Sequence, residues 1–223
     1  MLIWLASYPR SGNTYVRIIL NNVFGIKTYS LYPMGDNRVF LPRKGVAEFV
    51  GHETDGPTGQ ELIKEAQASS ALYVIKTHEK PLTDDPAIVI IRDGRSALVS
   101  YYHYCRDVEG LSVTLNDVIQ GNVYAGSWSE HLDSWIQPNQ ARPTLILRYE
   151  NITKDLRTLI EALKLFCKIE PKHSFEASFS EQNAMFPEFF RKGDDQANIA
   201  EMVEYSQAFS DYHGAAMKKF GYF

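Results

Sequence analysis

The first 24 residues constrain the fold of this 223-residue chain more than any other stretch does. Residues 2–6, Leu-Ile-Trp-Leu-Ala, form a short uncharged apolar run, and residues 7–14, Ser-Tyr-Pro-Arg-Ser-Gly-Asn-Thr, form a compact polar turn. Residues 15–24 then carry apolar side chains at helical spacing. This pattern predicts a buried strand, a tight loop and a helix in immediate succession, which is the first unit of an α/β fold.

The loop between this strand and this helix has the features of an anion-binding site. A loop that opens a helix presents unpaired backbone N–H groups, and the helix dipole adds positive potential, so phosphate-like anions bind there. Arg10 adds a fixed cation, and Ser11, Asn13 and Thr14 add further donors. The loop is not a Walker A motif, because it has a single glycine and no Gly-Lys pair. An ordinary βα turn capped by Ser or Asn is the alternative interpretation of the loop alone.

Two later apolar runs also end in polar residues. Residues 71–75 lead into Lys76-Thr77-His78, and the fully apolar residues 87–91 lead into Arg92-Asp93-Gly94. Strands without charge are typical of a parallel sheet that is covered on both faces. Ligands of open α/β sheets bind beyond the carboxyl ends of such strands, so Lys76, His78 and Arg92 are candidate site residues.

The remaining pattern predicts the other elements of a three-layer α/β fold with a mainly parallel sheet flanked by helices. Residues 26–60 are rich in glycine and proline and predict a long loop, followed by a helix that a capping box at Thr58 and Glu61 would open. Asp93 is a candidate N-cap for the helix after Arg92. Residues 144–147 predict a fourth core strand that leads to Tyr149.

Composition excludes several classes of protein. With 23 basic and 27 acidic residues the net charge is −4, which argues against a general nucleic-acid binder or a polybasic membrane binder. Cys105 and Cys167 have no metal-ligand spacing, so we expect buried thiols. No basic segment precedes the first apolar run, and no apolar run approaches the roughly 20 residues of a membrane span. We therefore expect one soluble, cytoplasmic domain over residues 1–223.

Together, and in their order along the chain, these motifs resemble those of the sulfotransferases that use 3′-phosphoadenosine 5′-phosphosulfate (PAPS). Residues 8–15, Y-P-R-S-G-N-T-Y, are similar to the family's 5′-phosphosulfate loop, although Arg10 stands where the family has lysine. K-T-H at 76–78 resembles the motif that carries the family's general base. The string I-I-R-D-G-R-S-A-L-V-S-Y-Y from residue 90 resembles the 3′-phosphate motif, and R-K-G at 191–193 resembles the segment that closes over that phosphate.

The resemblance implies a single sulfotransferase domain with a P-loop-like 5′-phosphosulfate loop. Its reaction would move a sulfuryl group from PAPS to an acceptor hydroxyl or amine and release adenosine 3′,5′-bisphosphate (PAP), with no metal. His78 would act as general base, and Arg10 and Lys76 would stabilise the reacting charges. The implied nucleotide-binding residues are Arg10, Ser11, Gly12, Asn13, Thr14, Tyr15, Arg92, Ser100, Tyr149, Arg191, Lys192 and Gly193.

The resemblance also implies that the long loop at 26–60 helps to form the acceptor pocket. Tyr29, Tyr32, Phe40 and Phe49 either line that pocket or attach the loop to the core. The expected partner is a small-molecule acceptor rather than a nucleic acid or a membrane. The identity of the acceptor and the oligomeric state are left open by the sequence.

Two other functions fit part of the pattern. A metal-dependent nucleotide phosphotransferase with a degenerate P-loop would use the first loop, but the Gly-Lys pair and a strand-end acidic pair for the metal are missing. A non-catalytic sensor of PAP or PAPS would use both phosphate motifs. His78 beside Lys76 favours an enzyme over a sensor.

Overall fold

The computed structural model describes residues 1–32, 45–174 and 195–222. The strands are β1 (Leu2–Ser7), β2 (Thr28–Ser30), β3 (Tyr73–Thr77), β4 (Ala87–Ile91) and β5 (Thr144–Arg148). The helices are α1 (Asn13–Phe24), α2 (Val46–Val50), α3 (Gly59–Ala68), α4 (Gly94–Asp107), α5 (Leu115–Ile119), α6 (Trp128–Trp135), α7 (Tyr149–Ile152), α8 (Leu156–Cys167), α9 (Asp195–Met202) and α10 (Ser206–Lys219).

The five strands form one sheet in the order β2-β3-β1-β4-β5, and every neighbouring pair is parallel. β1 lies at the centre, where Leu5 is paired with Lys76 of β3 on one side and with Ile88 of β4 on the other. A central strand of a parallel sheet is covered on both faces, which explains why residues 2–6 carry no charge. The predicted α/β class with a mainly parallel sheet is confirmed.

Two apolar clusters cover the two faces of this sheet. Alternate side chains of a strand point to opposite faces, so Leu2 and Trp4 pack on one face and Ile3 and Leu5 pack on the other. The first cluster includes residues of α3, α4, α6 and α10, and the second includes residues of α1 and α8. This arrangement gives the three layers that the sequence predicts.

Local details differ from the predictions where the sequence signal is short. Residues 28–30 form β2 inside the stretch predicted to be loop, because a three-residue strand is too short to produce a recognisable alternation. Thr58 precedes α3 as predicted, but its side chain caps no N–H group, so the predicted capping box is wrong. The Asp93 cap is confirmed, since its side chain accepts a hydrogen bond from the Arg95 N–H group.

Both cysteines are buried free thiols, as the sequence predicts. Across the described ranges, none of the helices is both long enough and apolar enough to cross a membrane.

Candidate functional site

The site lies where the direction of strand addition reverses. β3 follows on one side of β1 and β4 follows on the other, so the loops after these three strands open at the same edge of the sheet. Such a switch point is the usual ligand crevice of an open α/β sheet. It brings together the residues after Ser7, Thr77 and Ile91, which are the three strand ends that the sequence indicates.

The loop before α1 presents unused polar groups. α1 has no side-chain cap, which leaves the N–H groups of its first turn available. The Ser11 hydroxyl and the Asn13 Oδ1 atom are buried and accept or donate no hydrogen bond among the described residues. Asn13 Nδ2 donates to the Leu5 carbonyl at 3.1 Å and to Ser7 Oγ at 3.3 Å, which holds the start of the helix on β1. Buried polar groups without partners are rare. The Ser11 hydroxyl can donate and therefore fits an anionic ligand, whereas Asn13 Oδ1 can only accept.

Gly12, Tyr149 and Arg92 form a stack that joins three segments. A Cβ atom added at Gly12 would lie 2.8 Å from Cδ2 of Tyr149, so only glycine allows this approach of loop and ring. The guanidinium group of Arg92 lies over the same ring, 4.2 Å from its centroid. Tyr149 therefore contacts two other predicted nucleotide-binding residues, Gly12 and Arg92.

We expect Gly12→Ala to lower the free energy of unfolding by about 2 kcal/mol, because the new methyl group collides with Tyr149 and the φ of 100° is strained for alanine. Urea unfolding measures this loss. Gly56→Ala is the matched control, since Gly56 has a φ of 114° and an added Cβ there meets no described atom within 4 Å. Equal losses in the two variants would contradict the contact with Tyr149.

Arg10 and Arg92 connect the two predicted phosphate loops directly. Arg10 adopts a left-handed φ of 64°, and its Nε atom donates to Ser100 Oγ of α4 at 3.4 Å. Its guanidinium group also lies over the Tyr104 ring at 5.3 Å. Arg92 Nη1 donates to the carbonyl oxygen of Arg10 at 2.6 Å. Arg92 thus contacts the first loop, and Arg10 contacts the helix that follows the second loop.

Arg92 also forms an ion pair that sequence reasoning missed. Its Nε and Nη2 atoms lie 3.2 and 2.5 Å from Oδ1 of Asp195, the first residue of α9. The hydroxyl group of Ser96 donates to the same carboxylate oxygen. No local pattern indicates this contact, because 103 residues separate Arg92 from Asp195 along the chain.

His78 is held by the neighbouring strand in one tautomer. Its Nδ1 atom lies 2.7 Å from the carbonyl oxygen of Ser7, and a carbonyl can only accept. In the neutral ring Nδ1 therefore carries the hydrogen, and Nε2 has the free lone pair. Burial, and after it the charge of Lys76, holds the pKa of His78 well below its usual range. The ring is neutral at pH 7 and able to accept a proton.

Ser7 is a second residue that sequence reasoning left out of the site. Its Oγ atom lies 3.4 Å from His78 Nδ1 and accepts from Asn13, so Ser7 links the histidine to the first loop. The register of β1 against β3 is the signal that could have placed Ser7 in the site. Ala6 is opposite Thr77, which brings the next residues of both strands side by side.

Lys76 and Arg17 form a pair of cationic side chains whose charges act on each other and on His78. Burial, followed by the charge of Arg17, lowers the pKa of Lys76 to about 7. Arg17 is buried and donates to Thr28 Oγ1 at 2.8 Å, and its Nη2 atom lies 2.8 Å from Nδ1 of His52. Arg17 and Lys76 therefore make the part of the site next to β2 and β3 electropositive.

A small cavity opens between β2 and the segment before α3, and His52, which contacts Arg17, lies in its wall. Tyr29 and Tyr32 line it and also pack against the core. Ser30 in the lining is paired with Lys76 in the sheet, so the cavity adjoins β3, which ends one residue before His78. Phe49 is not among the lining residues, and Phe40 lies outside the described residues.

The remaining predicted residues have different placements. Tyr15 is buried in the apolar cluster between α1 and the sheet, where burial raises its pKa to about 12, and its role near adenine stays a prediction. Thr14 is half-buried in the first turn of α1. Arg191, Lys192 and Gly193 lie outside the described residues, so their predicted contact with a 3′-phosphate stays a prediction.

Comparison with known proteins gives a consistent assignment. The family model described as "Sulfotransferase domain" matches residues 2–221. Sulfotransferase 1A1 of Bos taurus is 32% identical over 176 residues, which are 73% of this chain and 57% of that protein. The 3-alpha-hydroxysteroid sulfotransferase of Cavia porcellus is 29% identical over 75% of this chain and 60% of its own length. The chain thus spans less than two thirds of these relatives.

The fold is also found in a solved structure. The crystal structure of mouse sulfotransferase SULT7A1 complexed with PAP superposes with a TM-score of 0.63 and 22% sequence identity. The match covers 99% of this chain and 88% of that one.

Proposed function

Because this chain belongs to the sulfotransferase domain family, we propose that it transfers a sulfuryl group from PAPS to the hydroxyl or amine group of a small acceptor, and that residues 1–223 act as one catalytic domain. The observation that carries the proposal is the direct contact between the two predicted phosphate loops. Arg92 at the end of β4 donates to the carbonyl oxygen of Arg10 in the loop before α1. One ligand with phosphates at both its 5′ and 3′ positions suits two adjoining anion sites, and an ordinary nucleoside triphosphate does not.

The groups around the first loop suit the 5′-phosphosulfate. The uncapped N-terminus of α1 and the unpaired Ser11 hydroxyl supply donors, and Gly12 lets the loop approach the Tyr149 ring closely. Arg92 and Ser100 are proposed to bind the 3′-phosphate, with the guanidinium fork matching the phosphate oxygens. Tyr149, packed between Gly12 and Arg92, is proposed to lie near the adenine ring.

His78 is the proposed general base. The proton of the acceptor hydroxyl moves to His78 Nε2 as the acceptor oxygen forms a bond to sulfur. The bond between sulfur and the 5′-phosphate oxygen breaks, and its electron pair stays on that oxygen of PAP. The hydrogen bond from Nδ1 to Ser7 supports this role, because it leaves Nε2 as the proton acceptor and favours the imidazolium that forms.

Arg10 and Lys76 are proposed to stabilise the negative charge that shifts from the sulfuryl group to the leaving phosphate during transfer. Arg10 is always cationic, so it stabilises negative charge on the leaving phosphate but does not protonate it. The lowered pKa of Lys76, about 7, leaves part of the population cationic at neutral pH, and that form suits the sulfuryl oxygens. The cavity lined by Tyr29 and Tyr32 is the proposed acceptor pocket, since it adjoins β3, which carries Lys76 and leads into His78.

Thermal unfolding with nucleotides tests the proposal. A ligand that binds only the folded chain and is present at 100 times its Kd stabilises it by about 2.7 kcal/mol, which raises Tm by roughly 5–10 °C. In EDTA we expect this shift with PAP and a much smaller one with AMP or ATP, because neither control carries a 3′-phosphate. A shift with magnesium-ATP and none with PAP would instead support the phosphotransferase.

A further inference from the structure

The anion that pairs with Arg92 is a carboxylate of the same chain, that of Asp195. The arginine is 3% exposed, and all three of its guanidinium nitrogens have partners: Nη1 the Arg10 carbonyl, and Nε and Nη2 the Oδ1 atom of Asp195. Ser96, in the first turn of α4, donates to that same oxygen. Asn198 of α9 donates to Ser96 Oγ at 3.1 Å and orients the hydroxyl group.

This set of donors is one that also suits a phosphate oxygen. A guanidinium fork and a hydroxyl group converge on a single oxyanion at the start of the 14-residue helix α4, where the helix dipole favours negative charge. Asp195 therefore contributes the kind of atom that a 3′-phosphate would contribute. Because Nε and Nη2 cannot direct their fork at two anions at once, a phosphate bound to Arg92 requires the Asp195 oxygen to leave.

We propose that Asp195 is an internal competitor for the 3′-phosphate: its carboxylate pairs with Arg92 and Ser96 in the nucleotide-free chain and is displaced when PAP or PAPS binds. The inference rests on the proposed function, since it takes Arg92 as the ligand of the 3′-phosphate. The pairing supplies a buried arginine with an anion when no nucleotide is bound, and breaking it lowers the affinity for the nucleotide. Asp195 thus sets how strongly the site favours 3′-phosphorylated nucleotides.

The test compares Asp195→Asn with the unmodified protein by calorimetric titration with PAP and with AMP. Asparagine keeps the size of the side chain and removes its charge, so we expect the Kd for PAP to fall about tenfold. The Kd for AMP should change less than twofold, because AMP has no 3′-phosphate. Without ligand, the variant should unfold at a lower temperature, since Arg92 has lost its anion.

Glu201→Gln is the matched control. It removes one negative charge from the same helix, but Glu201 contacts His103 at 2.8 Å rather than Arg92. We expect less than a twofold effect on PAP. Asp195→Ala, which also removes the oxygen that accepts from Arg92, should bind PAP at least as tightly as Asp195→Asn does.

The outcomes separate this inference from the proposed function. An unchanged or higher Kd for PAP in Asp195→Asn, or an equal gain in Glu201→Gln, overturns the competition while PAP binding itself stands. If neither the unmodified protein nor any variant binds PAP, the proposed function is wrong, and the competition is wrong with it. If the competition acts through Arg92, Asp195→Asn has no effect on PAP binding in a chain that already carries Arg92→Ala.

Discussion

Replacing His78 with asparagine should lower the rate of sulfuryl transfer by about 10²–10⁴-fold, which is the usual contribution of a general base. The asparagine amide can still donate toward the Ser7 carbonyl, but it has no lone pair with the basicity of Nε2. The measurement is PAP release from PAPS in single-turnover reactions, with the acceptor that gives the highest rate in a panel of phenols, alcohols and amines.

PAP binding should survive the same substitution, because His78 contacts Ser7 and none of the proposed phosphate ligands among the described residues. We expect the Kd for PAP to stay within about twofold of the original value. His103→Gln, which removes an imidazole that pairs with Glu201, is the control and should leave transfer unchanged. Full activity of the His78→Asn variant would refute the general-base role.

Arg92→Ala should weaken PAP binding by about a hundredfold, which corresponds to about 2.7 kcal/mol. The reason is the loss of a charged fork of donors in a buried position. AMP has no 3′-phosphate, so its Kd should rise less than fivefold, and that smaller loss would come from Tyr149 and the Arg10 carbonyl, which Arg92 also contacts. Calorimetric titration measures both ligands.

The control for net charge is Arg106→Ala, at the other end of α4, where the arginine contacts Tyr102 and Asp107 on the surface. It removes one cation and should change the Kd for PAP less than threefold. Equal losses of PAP and AMP binding in Arg92→Ala would show that Arg92 supports the site as a whole. That result would contradict separate 5′ and 3′ sites.

The sequence predicted most of the strands and helices around the site, because each of them is marked by a pattern of neighbouring residues. Apolar runs without charge identified β1 and β4, and helical spacing identified α1. Polar residues directly after β1, β3 and β4 indicated three strand ends of a parallel sheet, and their motifs in order indicated the sulfotransferase family. The sequence did not predict β2, because its three residues are too few to show a recognisable periodicity.

The sequence by itself determined the class of fold and the strand ends at which candidate site residues lie, since strand, loop and helix patterns are set by a few neighbouring positions. Only the tertiary structure decided which of these residues touch. The register of β1 against β3 sets the tautomer of His78 through Ser7, and the packing of the two loops places Tyr149 between Gly12 and Arg92. The pairing of Arg92 with Asp195 joins positions 103 residues apart, and such contacts follow from the packing of whole elements, which no short sequence pattern encodes.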